Sequence, residues 1–223
     1  MGDPKNAHDI SFTAIDGADL PLSRFKGKAV LVVNTASECG YTPQYKDLEA
    51  LWKRYRDRGL VVLGVPCNDF GAQEPGTEKQ IQSFCEVNYG VDFPLTAKAH
   101  VTGKDAHPFY QWASEVAGEA AAPRWNFHKY LVGPDGELAA WFPTKTAPTV
   151  SHTPMKWIPM SCEPGFDWWN FQPRLIQSSR VSLRARYPFR NTVSTRFQPS
   201  SSVRPLRSSK PHRVVNPPRL RTV

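Results

Sequence analysis

Runs of apolar residues early in the chain predict two buried strands with a helix between them. Residues 28–36 (KAVLVVNTA) and 60–67 (LVVLGVPC) are continuous, β-branched apolar runs, which are typical of strands buried on both faces of a parallel sheet. Between them, Thr42-Pro43 predicts a helix start with Thr42 as the N-cap. Four large apolar side chains then recur at helical spacing: Leu48, Leu51, Trp52 and Tyr55. This order indicates a right-handed βαβ unit.

Further helices and strands follow this unit. Thr77 is placed to cap a helix that runs to about Asn88, and residues 107–117 predict another helix. Strands are predicted at 93–98, 127–132 and 137–142, the last two flanking a Pro-Asp-Gly turn. We therefore predict an α/β domain whose central mixed sheet is flanked by helices and ends in an antiparallel hairpin.

The composition changes at about residue 145. Residues 1–145 carry 15 Lys and Arg against 18 Asp and Glu, net −3, whereas residues 146–223 carry 13 against 2, net +11. The later part is rich in Pro, Ser and Arg and lacks apolar periodicity, which favours a disordered or irregular tail. We predict one domain over 1–145 and a basic tail over 146–223, whose +11 accounts for the net charge of +8 of the whole chain.

The N-terminal residues, MGDPKNAHDISF, lack a cationic segment followed by an apolar stretch, and no apolar run approaches the length of a membrane span. We therefore expect a cytoplasmic protein without a membrane partner. The four cysteines are Cys39, Cys67, Cys85 and Cys162, and they are spaced neither as CxxC nor as zinc ligands. This spacing favours individual thiol chemistry over a disulfide framework or a metal site.

Cys39 follows the first predicted strand and precedes the predicted helix, in the sequence NTASECG. Reactive groups of open α/β sheets collect at the carboxyl ends of strands, where a helix N-terminus favours a thiolate. Glu38 opposes this effect if its side chain points inward. Position alone leaves two interpretations open, a reactive thiol and an inert small apolar residue.

Gln73, Trp125 and Asn126 are candidate hydrogen-bond donors for the same site. Gln73 follows the second buried strand in PCNDFGAQEPG, and Trp125-Asn126 immediately precedes a predicted strand. When a thiolate attacks a peroxide, negative charge develops on the departing oxygen, and amide and indole N–H groups stabilise it. Taken singly, each residue is more typical of a turn amide or a core aromatic. The combination points to peroxide reduction.

Four segments together resemble the glutathione peroxidase family: NTASECGYTPQY at 34–45, GVPCNDFGAQEPG at 64–76, FCEVNYGVDFP at 84–94 and RWNFHKYLV at 124–132. They occur in the family's order and spacing across residues 8–143. The resemblance implies a thioredoxin-like fold and reduction of hydrogen peroxide and organic hydroperoxides. It also implies that Cys39 is the peroxidatic residue. The rest of the implied catalytic tetrad is Gln73, Trp125 and Asn126.

The resemblance also implies a second, resolving thiol. Attack on peroxide leaves Cys39 as a sulfenic acid, with which another thiol must condense to prevent overoxidation. Cys85 matches the place where thioredoxin-dependent relatives carry that cysteine, on a helix that would have to unwind locally. The alternative is a buried thiol on a helix face. Cys67 matches a family cysteine at a strand end and is interpreted as structural, and Cys162 has no assigned role.

Only a few small residues separate the helix at 107–117 from Trp125. Tetrameric, glutathione-using relatives carry a long insertion there, so the chain resembles the shorter, monomeric members of the family. We therefore expect a monomer without a bound cofactor. Its electron donor would be thioredoxin or glutathione, and the resemblance favours thioredoxin.

The resemblance ends after WFPTKTAPT, where the family continues with an amphipathic helix that covers the sheet. No later segment has the apolar stripe of such a helix. We interpret the tail as the product of an altered reading frame or a replaced final exon. Without such a helix, apolar side chains on that face of the sheet would be exposed, which would lower the free energy of unfolding of the domain. The alternative is an irregular cover by aromatic and apolar tail residues, namely Trp157, Ile158, Trp168, Trp169 and Phe171.

A non-enzymatic function is the competing hypothesis. In it, the domain is a scaffold or peroxide sensor, and the tail binds a polyanion through arginines that contact phosphates and aromatic side chains that stack on bases. The residues concerned are Arg174, Arg180, Arg184, Arg186, Tyr187, Phe189, Arg190, Arg196 and Phe197. A solvated tail is the more typical state of such a composition, so nucleic acid is not the expected partner.

Overall fold

The structure is a computed structural model that describes residues 4–149. Cys162, the tail aromatics and the tail arginines lie outside the described residues, as does nearly all of the predicted tail over 146–223. Predictions about them therefore stay predictions, and so does the domain boundary at 145. None of the helices in residues 4–149 combines the length and the apolar character that a bilayer crossing requires.

The described chain forms two sheets and three α-helices. The strands are β1 (Ser11–Thr13), β2 (Asp19–Pro21), β3 (Ala29–Thr35), β4 (Leu60–Pro66), β5 (Lys129–Val132) and β6 (Leu138–Phe142). The helices are α1 (Gln44–Tyr55), α2 (Glu78–Tyr89) and α3 (Pro108–Ala117). β1 and β2 form a small antiparallel hairpin that the sequence pattern did not predict.

The central sheet has the strand order β4-β3-β5-β6, with β3 parallel to β4 and antiparallel to β5. Every residue of β3, β4 and β5 is buried, because helices cover both faces. α1 and α2 pack on the face that includes Leu31 and Val33, and α3 packs on the face that includes Val30 and Val32. The predicted mixed sheet flanked by helices is confirmed.

The pairing register of β3 and β4 brings the loops that follow these two strands together at one edge of the sheet. Thr35, the last residue of β3, pairs with Pro66, the last residue of β4. Because parallel strands end at the same edge, the loop with Cys39 and the loop with Gln73 leave the sheet side by side.

The predicted strand at 93–98 is wrong. This segment touches the edge of β4 only through isolated bridges, in which the Gly64 N–H donates to the Pro94 carbonyl at 3.0 Å and the Thr96 N–H donates to the Gly64 carbonyl at 2.9 Å. Pro94 has no N–H to donate to β4, so the ladder does not extend toward the start of that strand.

Candidate active site

Cys39 lies in the loop between β3 and α1, with 8 % of its surface exposed. Its backbone N–H donates to the Thr42 hydroxyl at 3.0 Å, and that hydroxyl donates to the Ala36 carbonyl at 2.9 Å. Thr42 therefore closes this loop instead of capping α1, whose N-cap is Pro43 without a side-chain bond. The prediction of Thr42 as the N-cap is wrong for this reason.

A backbone N–H group is directed at the Cys39 sulfur. The Tyr41 N–H donates to Cys39 Sγ at 3.4 Å, and a hydrogen bond to the charged form stabilises a thiolate. The Glu38 side chain is exposed, so solvent screens its carboxylate. The opposition that an inward-pointing Glu38 would cause is therefore weak.

The Gln73 loop is joined to the Cys39 loop by a backbone hydrogen bond. The Glu38 N–H donates to the Gln73 carbonyl at 3.0 Å. The turn before Gln73 requires left-handed backbone at two successive residues, Gly71 with φ of 67° and Ala72 with φ of 53°. Such geometry is unusual for alanine and marks a loop that its surroundings hold in place.

Asn126 binds the Gln73 side chain, and Trp125 lies beside it. The Asn126 Nδ2 donates to Gln73 Oε1 at 3.0 Å, and Asn126 is fully buried. A Cβ atom built on Gly71 would lie 3.5 Å from Gln73 Cγ and 3.7 Å from Trp125 Cη2. The amide and the indole therefore both flank Gly71 at ordinary contact distance. Trp125 stays 39 % exposed and contacts the Phe70 ring.

The arrangement places hydrogen-bond donors at the sheet edge that carries the Cys39 thiol. Because Gln73 Oε1 accepts from Asn126, the Gln73 Nε2 is left to donate elsewhere. Within residues 4–149, no hydrogen bond joins Cys39 Sγ to the side chains of Gln73, Trp125 or Asn126. The structure thus brings the four residues to one edge of the sheet. The Gln73 Nε2 and the exposed Trp125 indole are left to donate to a bound molecule, whereas the Asn126 Nδ2 is engaged by Gln73.

Asn34 is a site residue that the sequence reasoning missed. It is fully buried in β3, where its Nδ2 donates to the Trp125 carbonyl at 3.1 Å and its Oδ1 accepts from the His128 N–H at 3.0 Å. The Phe127 N–H donates to the Asn34 carbonyl, and Phe127 is left-handed with φ of 62°. Asn34 therefore fixes the turn that carries Trp125 and Asn126. An asparagine inside an otherwise apolar strand was the available signal.

Lys129 is a second missed residue. It is fully buried in β5, and its Nζ donates to the Phe127 carbonyl at 2.7 Å. Burial lowers the pKa of this amine to about 7. Lys129 therefore helps to hold the same turn, from β5.

Cys85 and Cys67 are both fully buried. Burial raises the pKa of Cys85 to about 11, although the nearby Tyr45 hydroxyl lowers it. Burial raises the pKa of Cys67 to about 12, and the Asp69 N–H donates to its sulfur at 3.4 Å. Both are neutral thiols near neutral pH, so neither is reactive while it stays buried.

Comparison with known proteins identifies the family. The family model described as glutathione peroxidase matches residues 7–114. The chain is 50 % identical over 133 residues to a glutathione peroxidase-like peroxiredoxin of Schizosaccharomyces pombe, a match that covers 59 % of this chain and 84 % of the relative. It is 46 % identical over 139 residues to a hydroperoxy fatty acid reductase of Synechocystis, covering 59 % of this chain and 82 % of the relative.

Solved structures agree with this result. The crystal structure of Trgpx in its apo form matches with a TM-score of 0.57 at 34 % identity, covering 71 % of this chain and 95 % of that chain. A thioredoxin-family thiol:disulfide interchange protein from Chlorobium tepidum matches with a TM-score of 0.51 at 16 % identity, covering 73 % and 100 %, which shows the fold alone. The chain therefore belongs to the glutathione peroxidase family, and it is a thiol-dependent peroxidase with a thioredoxin-like fold.

Proposed function

We propose that this chain reduces hydrogen peroxide and organic hydroperoxides through Cys39, with Gln73, Trp125 and Asn126 as the other members of the site. The observation that carries the proposal is the convergence of two loops at one sheet edge. The Glu38 N–H binds the Gln73 carbonyl, and Asn126 binds the Gln73 side chain, both at 3.0 Å. These bonds support a fixed donor arrangement near the Cys39 sulfur.

In the first half-reaction, the Cys39 thiolate attacks one peroxide oxygen. The S–O bond forms while the O–O bond breaks, and the departing oxygen takes a proton and leaves as an alcohol, or as water from hydrogen peroxide. Cys39 is thereby oxidised to a sulfenic acid. The Gln73 amide and the Trp125 indole donate hydrogen bonds to the departing oxygen, on which negative charge develops.

In the second half-reaction, the Cys85 thiol condenses with the Cys39 sulfenic acid to give a disulfide and one water molecule. Cys85 is fully buried, so α2 must open locally before the two sulfurs can meet. A thiol reductant then returns both cysteines to thiols by disulfide exchange. Glutathione is the alternative resolving thiol.

The proposed reductant is thioredoxin, and no bound cofactor is required. Relatives named peroxiredoxins support a thiol donor, and the hydroperoxy fatty acid reductase supports lipid hydroperoxides as one substrate class. We propose that the protein acts as a cytoplasmic monomer in defence against oxidative stress. The short segment between α3 and Trp125 supports the monomer.

The decisive test is peroxide-dependent NADPH oxidation by the full chain. One assay supplies thioredoxin and thioredoxin reductase, and the other supplies glutathione and its reductase. We expect turnover with thioredoxin that Cys39→Ser and Cys85→Ser abolish, while the matched control Cys67→Ser keeps it. Thioredoxin-driven turnover in Cys85→Ser would remove Cys85 from the mechanism. Absence of turnover with both donors, from folded protein, would reject the proposed function.

A further inference from the structure

A cluster of buried polar groups surrounds the Cys85 thiol, and the proposed peroxide chemistry at Cys39 does not use it. Five side chains from five segments form this resolving-thiol cluster: Thr35 from β3, Ser37 from the Cys39 loop, Tyr45 from α1, Glu74 from the Gln73 loop and Cys85 from α2. Thr35, Tyr45, Glu74 and Cys85 are fully buried.

The oxygens of this cluster are poorly satisfied. Tyr45 lies near Thr35 and Cys85, and Ser37 lies near Glu74, but these hydroxyls and both Glu74 carboxyl oxygens lack a hydrogen bond of standard geometry. A buried, unsatisfied polar atom costs a folded protein stability, so a group of them at one place requires an explanation. Glu74 stands out because, unlike Tyr45 and Cys85, it ionises near neutral pH.

Glu74 is held beside the reactive loops by its backbone. Its N–H donates to Asn68 Oδ1 at 2.8 Å, and the preceding residue, Gln73, binds Asn126 and the Cys39 loop. Its carboxyl lies close enough to Tyr45 on α1 and to Cys85 on α2 for its charge to act on both. Glu74 thus lies between the peroxide site and the resolving thiol.

We propose that Glu74 is a positioning residue for the resolving step, in which its protonated carboxyl allows Cys85 to stay in the closed cluster and its ionisation favours release of Cys85 by local opening of α2. This inference rests on the proposed role of Cys85. After release, the Cys85 thiol attacks the Cys39 sulfenic sulfur, the S–S bond forms, and the thiol proton leaves with the sulfenic hydroxyl as water.

The groups around Glu74 determine the pH range in which its carboxyl ionises. Burial raises the pKa of Glu74 to about 7, the Ser37 hydroxyl and the Lys98 ammonium lower it, and the Glu38 carboxylate raises it. Tyr45 and Cys85, which face Glu74 from α1 and α2, have raised pKa values and stay neutral near pH 7. Glu74 is therefore the group in the cluster that changes charge there.

Proton linkage gives the direction in which pH shifts the opening equilibrium of α2. A closed cluster binds the Glu74 proton more tightly than an opened, hydrated one, whose carboxyl ionises near 4.5. Raising the pH from that value to about 7 therefore weakens the closed state relative to the open state. Between pH 6 and pH 8, the two values correspond to an increase of about tenfold in the opening equilibrium.

The test isolates the resolving step in the full chain. Reduced protein is mixed with one equivalent of hydrogen peroxide, samples are quenched in acid, and the Cys39–Cys85 disulfide is quantified by mass spectrometry of unreduced peptides. The ratio of the wild-type rate to the Glu74→Gln rate cancels the ordinary ionisation of the thiol. We expect this ratio to rise about tenfold from pH 6 to pH 8, whereas an unchanged ratio would overturn the proposal.

Two controls keep the outcomes distinct. Glu86→Gln removes the same charge from an exposed position on α2, next to Cys85. The ratio of the wild-type rate to the Glu86→Gln rate should stay constant with pH. A tenfold rise in this ratio from pH 6 to pH 8 would assign the effect to any charge near α2 and contradict a specific role of Glu74. If wild type forms no Cys39–Cys85 disulfide, the resolving step of the proposed function fails, and this inference fails with it.

A second measurement needs no variant, which matters if Glu74→Gln does not fold. Hydrogen exchange of the α2 amides in the reduced wild-type chain reports the opening equilibrium directly, once intrinsic exchange rates are divided out. We expect that equilibrium to rise about tenfold between pH 6 and pH 8. Constant protection of residues 78–89 across this range would contradict the proposal.

Discussion

At the scale of single residues, two buried polar side chains hold the turn that carries Trp125 and Asn126. Asn34 and Lys129 reach the turn at Trp125–Phe127 from two neighbouring strands, and both are fully buried. Each binds backbone carbonyls of that turn, so the direction of Trp125 and Asn126 depends on hydrogen bonds from the centre of the sheet.

Replacing Asn34 tests this dependence. In Asn34→Ala, the Trp125 carbonyl and the His128 N–H lose their partners, which leaves buried groups unsatisfied. We expect a loss of about 2–3 kcal/mol in the free energy of unfolding and a fall in kcat/KM for peroxide. Urea unfolding and the NADPH assay measure the two effects. Asn88→Ala, at an exposed position of α2, should change both far less, and an equal effect would contradict the role of Asn34.

Lys129 makes a prediction about pH. Burial lowers its pKa from 10.5 to about 7, so between these values the unfolded chain binds more protons than the folded chain. Its contribution to the free energy of unfolding therefore rises with pH above about 7. Urea unfolding at pH 7 and pH 9 measures this rise in the free energy of unfolding. We expect the rise in wild type and in the exposed control Lys46→Met. Lys129→Met should lack it, and an unchanged pH dependence would assign the effect to another group.

At the scale of elements, the strands that the sequence predicts best are those with continuous apolar runs. β3 and β4 are buried on both faces, so each is a continuous apolar run whichever elements pack against it. β1 and β2 were missed because three residues are too few to show a period. The strand predicted at 93–98 failed because a local apolar pattern does not reveal how far Pro94 limits pairing.

The same limit applies to the site. Cys39, Gln73, Trp125 and Asn126 were predicted as site residues because they lie in recognisable segments, and the structure brings them to one sheet edge. Asn34, Glu74 and Lys129 were missed, since their importance comes from burial and from partners distant in sequence. A sequence read one segment at a time cannot show which polar side chains are enclosed.

Gly64 shows how the 93–96 segment docks on β4. A Cβ atom at this position would lie 2.5 Å from Leu95 Cδ2 and 3.2 Å from Phe93 Cε2. We expect Gly64→Ala to lower the free energy of unfolding by about 1–3 kcal/mol, because the side chains must shift. Leu95→Ala in the same chain should relieve part of this loss, and strict additivity of the two losses would show that the contact is not its cause.

A matched control for this experiment is Gly40→Ala. A Cβ atom there would meet nothing within 4 Å, and the backbone is not left-handed. We expect a change of less than about 0.5 kcal/mol in the free energy of unfolding, measured in urea as for Gly64→Ala. A large loss would mean that glycine replacement near this sheet edge is costly for reasons other than crowding.

At the scale of the whole molecule, the peroxide site and the basic tail are separate in sequence. The site residues fall between Asn34 and Lys129, whereas the positive net charge lies beyond residue 145. A chain that ends at Thr149 should therefore keep its kcat/KM for peroxide within about twofold, unless the tail covers the sheet. Activity lost together with the cooperative unfolding transition would show that the domain needs the tail.

The same truncation separates the enzymatic function from the polyanion hypothesis. Residues 1–149 carry a net charge of −3. We expect the full chain to be retained on heparin and released by salt, and the shortened chain to pass through. Retention of the shortened chain would locate polyanion binding in the domain. The variant Cys39→Ser should not change retention, because thiol chemistry and tail charge are independent.

The exposure of Trp125 has an optical consequence. In residues 4–149 the other tryptophans are Trp52, Trp112 and Trp141, all of them less exposed. An indole that is 39 % exposed is open to aqueous quenchers, and it lies at the same sheet edge as Cys39, the proposed site of oxidation. We therefore expect peroxide to change the intrinsic fluorescence of the shortened chain, and we expect Trp125→Phe to lose this change.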